Sequence, residues 1–146
     1  MAETPRNLLK RDMPSMSTPA NNPGIEALVF ELLNAVTKVH INHLRVTGPG
    51  SYAAHKAMGD FYDGVGDFAD SLAEQWQGIT EKLIDYPTAA QIPTMNTAAD
   101  CLAYLRACYT MCDKIHAGCQ YSEICNLIDE IKSLINSTKY KLIFLK

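Results

Sequence analysis

From the glycines at 48 and 50 to Gly78 the chain reads as a single helix, and that stretch dictates what the rest of the fold must supply. Its apolar positions, Met58, Phe61, Tyr62, Val65, Phe68, Ala69, Leu72 and Trp76, recur at helical spacing and must be covered by other elements of the chain. A second such run precedes it. Asn22-Pro23-Gly24 is a helix start signal, with Asn22 as N-cap and Pro23 at the first helical position. Ile25, Leu28, Leu32, Val36, Val39 and His43 then follow on one stripe, and Gly48-Pro49-Gly50 ends the run. Ser51 is the expected N-cap of the long helix.

Two more helices are predicted beyond a connection over residues 79–96, which contains Pro87 and Pro93 and has room for one short helix. Thr97 and Asp100 form a capping box ahead of Leu102, Leu105, Tyr109, Met111 and Ile115, and Gly118 marks that helix's end. Ser122 opens the last helix, whose apolar face is Ile124, Leu127, Ile128, Ile131, Leu134 and Ile135. No strand-like alternation competes. The expected architecture is all-α, a four-helix bundle over residues 23–146 with a long crossover between its second and third helices. Residues 1–22, rich in Pro, Ser, Thr and Asn, read as a flexible N-terminal arm.

Composition narrows the function classes. The 146 residues form one domain, and no run of eighteen apolar residues or signal-peptide h-region occurs, which points to a soluble intracellular protein. A net charge of −3 argues against nucleic-acid binding by the globular surface. In the arm, Arg6, Lys10 and Arg11 set against Glu3 and Asp12 neutralise too few phosphates for strong DNA binding.

The residues that carry chemistry are His43, His55, Asp70 and Glu74. Asp70 and Glu74, four apart, share a helix face, and His55 falls with them inside a wedge of about 100°. Along the axis, however, His55 and Asp70 are separated by roughly 22 Å, so one copy cannot close a metal site. A second copy packed antiparallel about a two-fold axis near Tyr62 and Asp63 brings His55 of one subunit to Asp70 and Glu74 of the other. Imidazole plus carboxylate suits iron or zinc.

The stretch HLRVTGPGSYAAHKAMGDFYDGVGDFADSLAEQWQG, His43 to Gly78, resembles the ferroxidase segment of the Dps mini-ferritins. His43, Gly48, His55 and the run Asp70-Ser71-Leu72-Ala73-Glu74 match that family's order and spacing, and a weaker resemblance extends through TKYKL at 138–142. The AAHKAMGDFYDG and YKLIFL segments also resemble Dps-like proteins encoded by tailed bacteriophages, which implies a bacterial host, with the protein in its cytoplasm or in a virion. The resemblance implies a ferritin-like bundle assembled through two-fold dimers into a hollow dodecamer. It implies Fe(II) oxidation by hydrogen peroxide or oxygen at intersubunit sites, with His43 and His55 from one subunit and Asp70 and Glu74 from its partner as both metal ligands and catalytic residues. Zinc could substitute for iron. Gly59 departs from the acidic residue usual in the family one turn after the second His, leaving Asp60 or Asp63 to act through water, and Leu44 replaces an aromatic. Two alternatives stay open: a phage structural or interaction protein that keeps the bundle without oxidation chemistry, and a DNA-binding Dps-like protein acting through its arm.

The remaining candidates read as structural. His40 with His43 supplies two ligands, not a site; Asp113 and His116 lack the facing partners of an intrasubunit di-iron centre. Cys101, Cys108, Cys112 and Cys119 form a stripe on the third helix with Cys125 on the fourth, and read as small buried residues at a helix interface. A zinc site from Cys112, His116 and Cys119 is the functional alternative, without a Cys-x-x-Cys signal. Five cysteines, an odd number, fit a reducing compartment.

Overall fold

The computed structural model describes residues 24–146, in four α-helices: α1 (Ile25–His43), α2 (Ser51–Thr80), α3 (Ala98–Ala117) and α4 (Ser122–Phe144). The expected arm over residues 1–22 and the Asn22-Pro23 start lie outside the described residues. Each helix buries one stripe: Leu28, Val29, Leu32 and Val39 on α1, Met58, Phe61, Val65 and Leu72 on α2, Cys101, Leu105 and Cys112 on α3, and Ile124, Ile128, Ile131 and Ile135 on α4. Apart from the adjacent Leu28 and Val29, these positions recur at intervals of three, four or seven residues, which is why the sequence pattern located the elements.

Contacts between helix ends define the topology. The Asn42 side-chain amide donates to the Thr97 carbonyl at 3.2 Å and Arg45 donates to Asn96 Oδ1 at 3.3 Å, so α3 begins where α1 ends. Trp76 meets Tyr121 edge to face at 6.2 Å, which places the end of α2 beside the start of α4. A Cβ built on Gly50 would sit 3.6 Å from the Lys146 Cβ, so the chain after α4 returns to the start of α2. The helices therefore run up, down, down, up, and α1 packs on α2 and α3 while α4 packs on α2 and α3. Residues 81–97 must travel the length of the bundle to allow this, as expected for a long crossover. They contain no helix, which corrects the expectation of a short one; Ile84 and Met95, both buried, pin the segment to the core instead.

Helix ends differ from the sequence reading in four places. Helix α1 starts from Gly24, with no side-chain cap, and stops at His43, ahead of Gly48. Gly50, not Ser51, is the N-cap of α2: its φ of 78° lies in the left-handed region, where glycine carries no Cβ penalty. At the far end α2 runs to Thr80 rather than Gly78, and Glu81 adopts φ 54°. The predicted capping box is present: Asp100 N–H donates to Thr97 Oγ1 at 3.1 Å and Thr97 N–H donates to Asp100 Oδ2 at 3.0 Å. Among the described residues no helix is long and apolar enough to cross a membrane.

Candidate metal centre at the α1–α2 turn

His43 is the last residue of α1 and His55 lies in the first turns of α2, so the connection at 44–50 folds one imidazole onto the other. Their rings stack with centroids 3.5 Å apart and planes at 21°. Each ring also holds the other residue's backbone: His43 Nδ1 donates to the His55 carbonyl at 2.7 Å and His55 Nδ1 donates to the His43 carbonyl at 3.0 Å. A carbonyl only accepts, so Nδ1 carries the proton on both rings and, in the neutral form, Nε2 carries the lone pair. The His43 carbonyl belongs to the last turn of α1, where no intrahelical partner exists, so the His55 ring also completes a helix end. Hydrogen bonding of this kind at Nδ1 sets tautomer and ring orientation for ligation through Nε2.

Three further residues frame the pair. Gly59 lies under His43; a Cβ there would be 3.5 Å from the His43 Cε1, an ordinary contact. Tyr62 stands edge-on to His43 with centroids 5.2 Å apart, and the exposed His40 ring stacks on Tyr62 at 4.3 Å. The sequence pattern reads Tyr62 as an apolar position of the long helix and His40 as structural; their contact with the imidazole pair is a finding of the structure. The signal for Tyr62 was its position seven after His55 and three after Gly59, on one face of α2.

Asp70 and Glu74 lie on the exposed face of α2, further along the helix. Their neighbours Ala69 and Leu72 point into the chain's own core and are fully buried. Asp60, Asp63, Asp67, Asp70 and Glu74, at intervals of three and four residues, form one exposed acidic stripe. Asp60 is taken by Lys141, Nζ to Oδ2 3.0 Å, so it is not the free carboxylate that could stand in at Gly59. Among the described residues no group of three or more His, Cys, Asp or Glu side chains could hold a metal ion. One chain thus brings His43 and His55 together and keeps Asp70 and Glu74 apart from them.

The cysteines divide in two. Cys101, Cys108 and Cys112 are buried on α3, as expected, and burial pushes their thiols up to about 12, 11 and 12. Cys119 lies beyond the end of α3 and is disulfide-bonded to Cys125 across the α3–α4 turn, with Cα atoms 5.8 Å apart. The expectations of an all-thiol set and of a stripe continuing to Cys119 are therefore corrected. Cysteines seven and four apart on one helix cannot bridge within it, but the α3–α4 turn reverses the chain and brings Cys125 to Cys119. The Cys112, His116, Cys119 alternative also fails, since Cys119 is bonded, Cys112 is in the core and His116 Nε2 pairs with Asp129 Oδ2 at 3.2 Å. Asp113 pairs with Lys132 at 2.8 Å.

A comparison with protein-family models matches residues 43–142, from the first of the paired histidines into the last helix, to a family of unknown function, DUF5856. A comparison with curated proteins finds no match.

Proposed function

This chain belongs to the DUF5856 family, and we propose that it is a Dps-like ferroxidase with a ferritin-like bundle, which oxidises and sequesters Fe(II) at sites shared between two subunits. The observation that carries the reading is the reciprocal imidazole–carbonyl lock of His43 and His55, which sets both rings for ligation through Nε2. The up-down-down-up order with a full-length crossover supports the ferritin-like part of the reading.

In the proposed dimer, α2 pairs antiparallel with its copy about an axis near Tyr62 and Asp63. The imidazole pair of one subunit then faces Asp70 and Glu74 of the other, twice by symmetry. The acidic stripe makes this pairing unfavourable without cations and favourable with them, since carboxylates of both copies are brought close. Neutral imidazoles bind Fe(II), and the harder carboxylates stabilise the Fe(III) product. Hydrogen peroxide or oxygen is the oxidant, and product iron passes into the interior of a hollow oligomer, a dodecamer in this reading. Consuming Fe(II) and peroxide together prevents hydroxyl-radical formation.

One observation favours a second reading, a structural or interaction protein that keeps the bundle without the chemistry: Gly59 offers no carboxylate beside His43, although a Cβ there would make only an ordinary contact. The rate of Fe(II) oxidation by peroxide and by oxygen separates the two. Wild-type protein should exceed buffer, and a His43→Ala, His55→Ala variant of verified assembly should not. Wild-type rates equal to buffer would overturn the ferroxidase and leave the structural reading.

A further inference from the structure

We propose that the end of the bundle where the α1–α2 turn meets the last turn of α4 is a peripheral docking surface for anionic lipid. Residues 44–52, 96–99 and 140–146 come together there: Arg45 donates to Asn96 Oδ1 at 3.3 Å, and a Cβ built on Gly50 would sit 3.6 Å from the Lys146 Cβ. Ten large apolar side chains are exposed among the described residues, and six of them, Leu44, Tyr52, Tyr140, Ile143, Phe144 and Leu145, belong to this end. The other four are spread over α1 and the crossover. Single exposed apolar residues are ordinary, but a concentration of them marks a contact surface. On α4, Tyr140, Ile143 and Phe144 lie three and four residues apart, on the face turned away from the buried Thr138.

Charge selects an anionic partner. Arg45, Lys56, Lys139, Lys141 and Lys146 all lie within about two turns of this end. The nearest carboxylates are engaged: Asp60 by Lys141 at 3.0 Å, and Asp100 by the N–H groups of Asn96 and Thr97. Beyond Asp60, the exposed Asp63, Asp67, Asp70 and Glu74 run along α2 toward the opposite end. A chain with a net charge of −3 thus turns a cationic end to an anionic surface and holds its acidic stripe away from it.

Shape selects lipid over an acidic peptide. Tyr52 is 77 %, Leu44 70 %, Phe144 68 % and Tyr140 56 % exposed, so these side chains project from the bundle, whereas peptide recognition needs anchors received in a groove. Projecting aromatic and aliphatic side chains set among lysines suit the headgroup level of a bilayer: the apolar groups enter the interface and the cations meet lipid phosphates. No helix among the described residues can cross a membrane, so the contact is peripheral.

The experiment is flotation of the full-length protein with vesicles of phosphatidylglycerol and phosphatidylcholine in equal parts, and with vesicles of phosphatidylcholine alone. Wild-type protein should float with the anionic vesicles only, and less at raised ionic strength. Tyr140→Ser with Phe144→Ser changes two exposed side chains, should unfold like the wild type, and should abolish flotation. Lys56→Gln and Lys146→Gln should each weaken binding about five-fold. No flotation of the wild type, equal flotation with both vesicles, or flotation unchanged in these variants would overturn the proposal. Capture by poly-glutamate without flotation would overturn it in favour of an acidic peptide. Self-association without flotation, lost in the Tyr140→Ser, Phe144→Ser variant, would overturn it in favour of a second copy.

Discussion

Gly59 and Gly64 sit on the same helix, yet the space above them differs enough to predict different outcomes. At Gly59 a Cβ meets the His43 ring at 3.5 Å, whereas at Gly64 it comes to 3.3 Å of Leu134 Cδ2, where α2 and α4 approach closely. Replacing a mid-helix glycine by alanine lowers the entropy of the unfolded chain and stabilises a helix by about 0.5–1 kcal/mol when nothing must move. Gly59→Ala should therefore raise the midpoint of chemical denaturation, and Gly64→Ala should gain less or lose stability, because Leu134 has to shift. Equal gains at both positions would show that α2 and α4 are not held as closely as described. The pairing of His43 with His55 was an implication of the resemblance of the 43–78 stretch, and the stacking of the rings was not legible in the sequence. It depends on the chain reversing between Leu44 and Gly50, which brings together atoms that no helical period relates.

The elements were legible in proportion to how local their signals are. The Thr97–Asp100 capping box could be read directly, because both partners lie within one turn. Asp100 accepts from the N–H groups of Asn96 and Thr97, which, with the Thr97 side chain, hold its carboxyl below the ordinary carboxylate range. A lowered folded-state pKa means that the carboxylate's contribution is complete above the unfolded value. It fades as pH falls through the lowered one. Acid unfolding of an Asp100→Asn variant should accordingly show a shallower loss of stability on the acid side than the wild type. Thr97→Ala should cost about 1 kcal/mol at neutral pH, read from denaturant unfolding. At the other end of α3, reducing the Cys119–Cys125 bond releases a short loop. Chain entropy puts the loss near 2 kcal/mol, checked by unfolding with and without reductant and by a Cys119→Ser, Cys125→Ser variant. An unchanged midpoint would mean that the α3–α4 turn is held without the disulfide, by contacts such as Trp76–Tyr121 and His116–Asp129.

At the scale of the molecule, the acidic stripe on α2 and the separated donor pairs make association the expected response to a divalent cation. Zinc, which binds the same donors without redox chemistry, should shift the protein toward larger species in analytical ultracentrifugation. The shift should be lost in Asp70→Asn with Glu74→Gln. Both side chains are exposed, so that variant should unfold like the wild type. Association that persists in the variant would remove these carboxylates from the interface. Raising ionic strength without metal should favour association weakly, by screening the carboxylates of facing copies.

The sequence by itself determined the four helices of the described residues, which face of each is buried, and that a long segment joins the second to the third. All of these follow from helical period and capping, which act within a few turns. The tertiary structure decided where α1 stops, that Gly50 rather than Ser51 begins α2, that His43 and His55 lock each other through backbone carbonyls, that Tyr62 and His40 stand beside them, and that Cys119 bonds Cys125. Each of these joins residues on opposite sides of a chain reversal or a turn. Their separation is set by how the packed helices direct the connecting backbone, not by the spacing of residues along one helix.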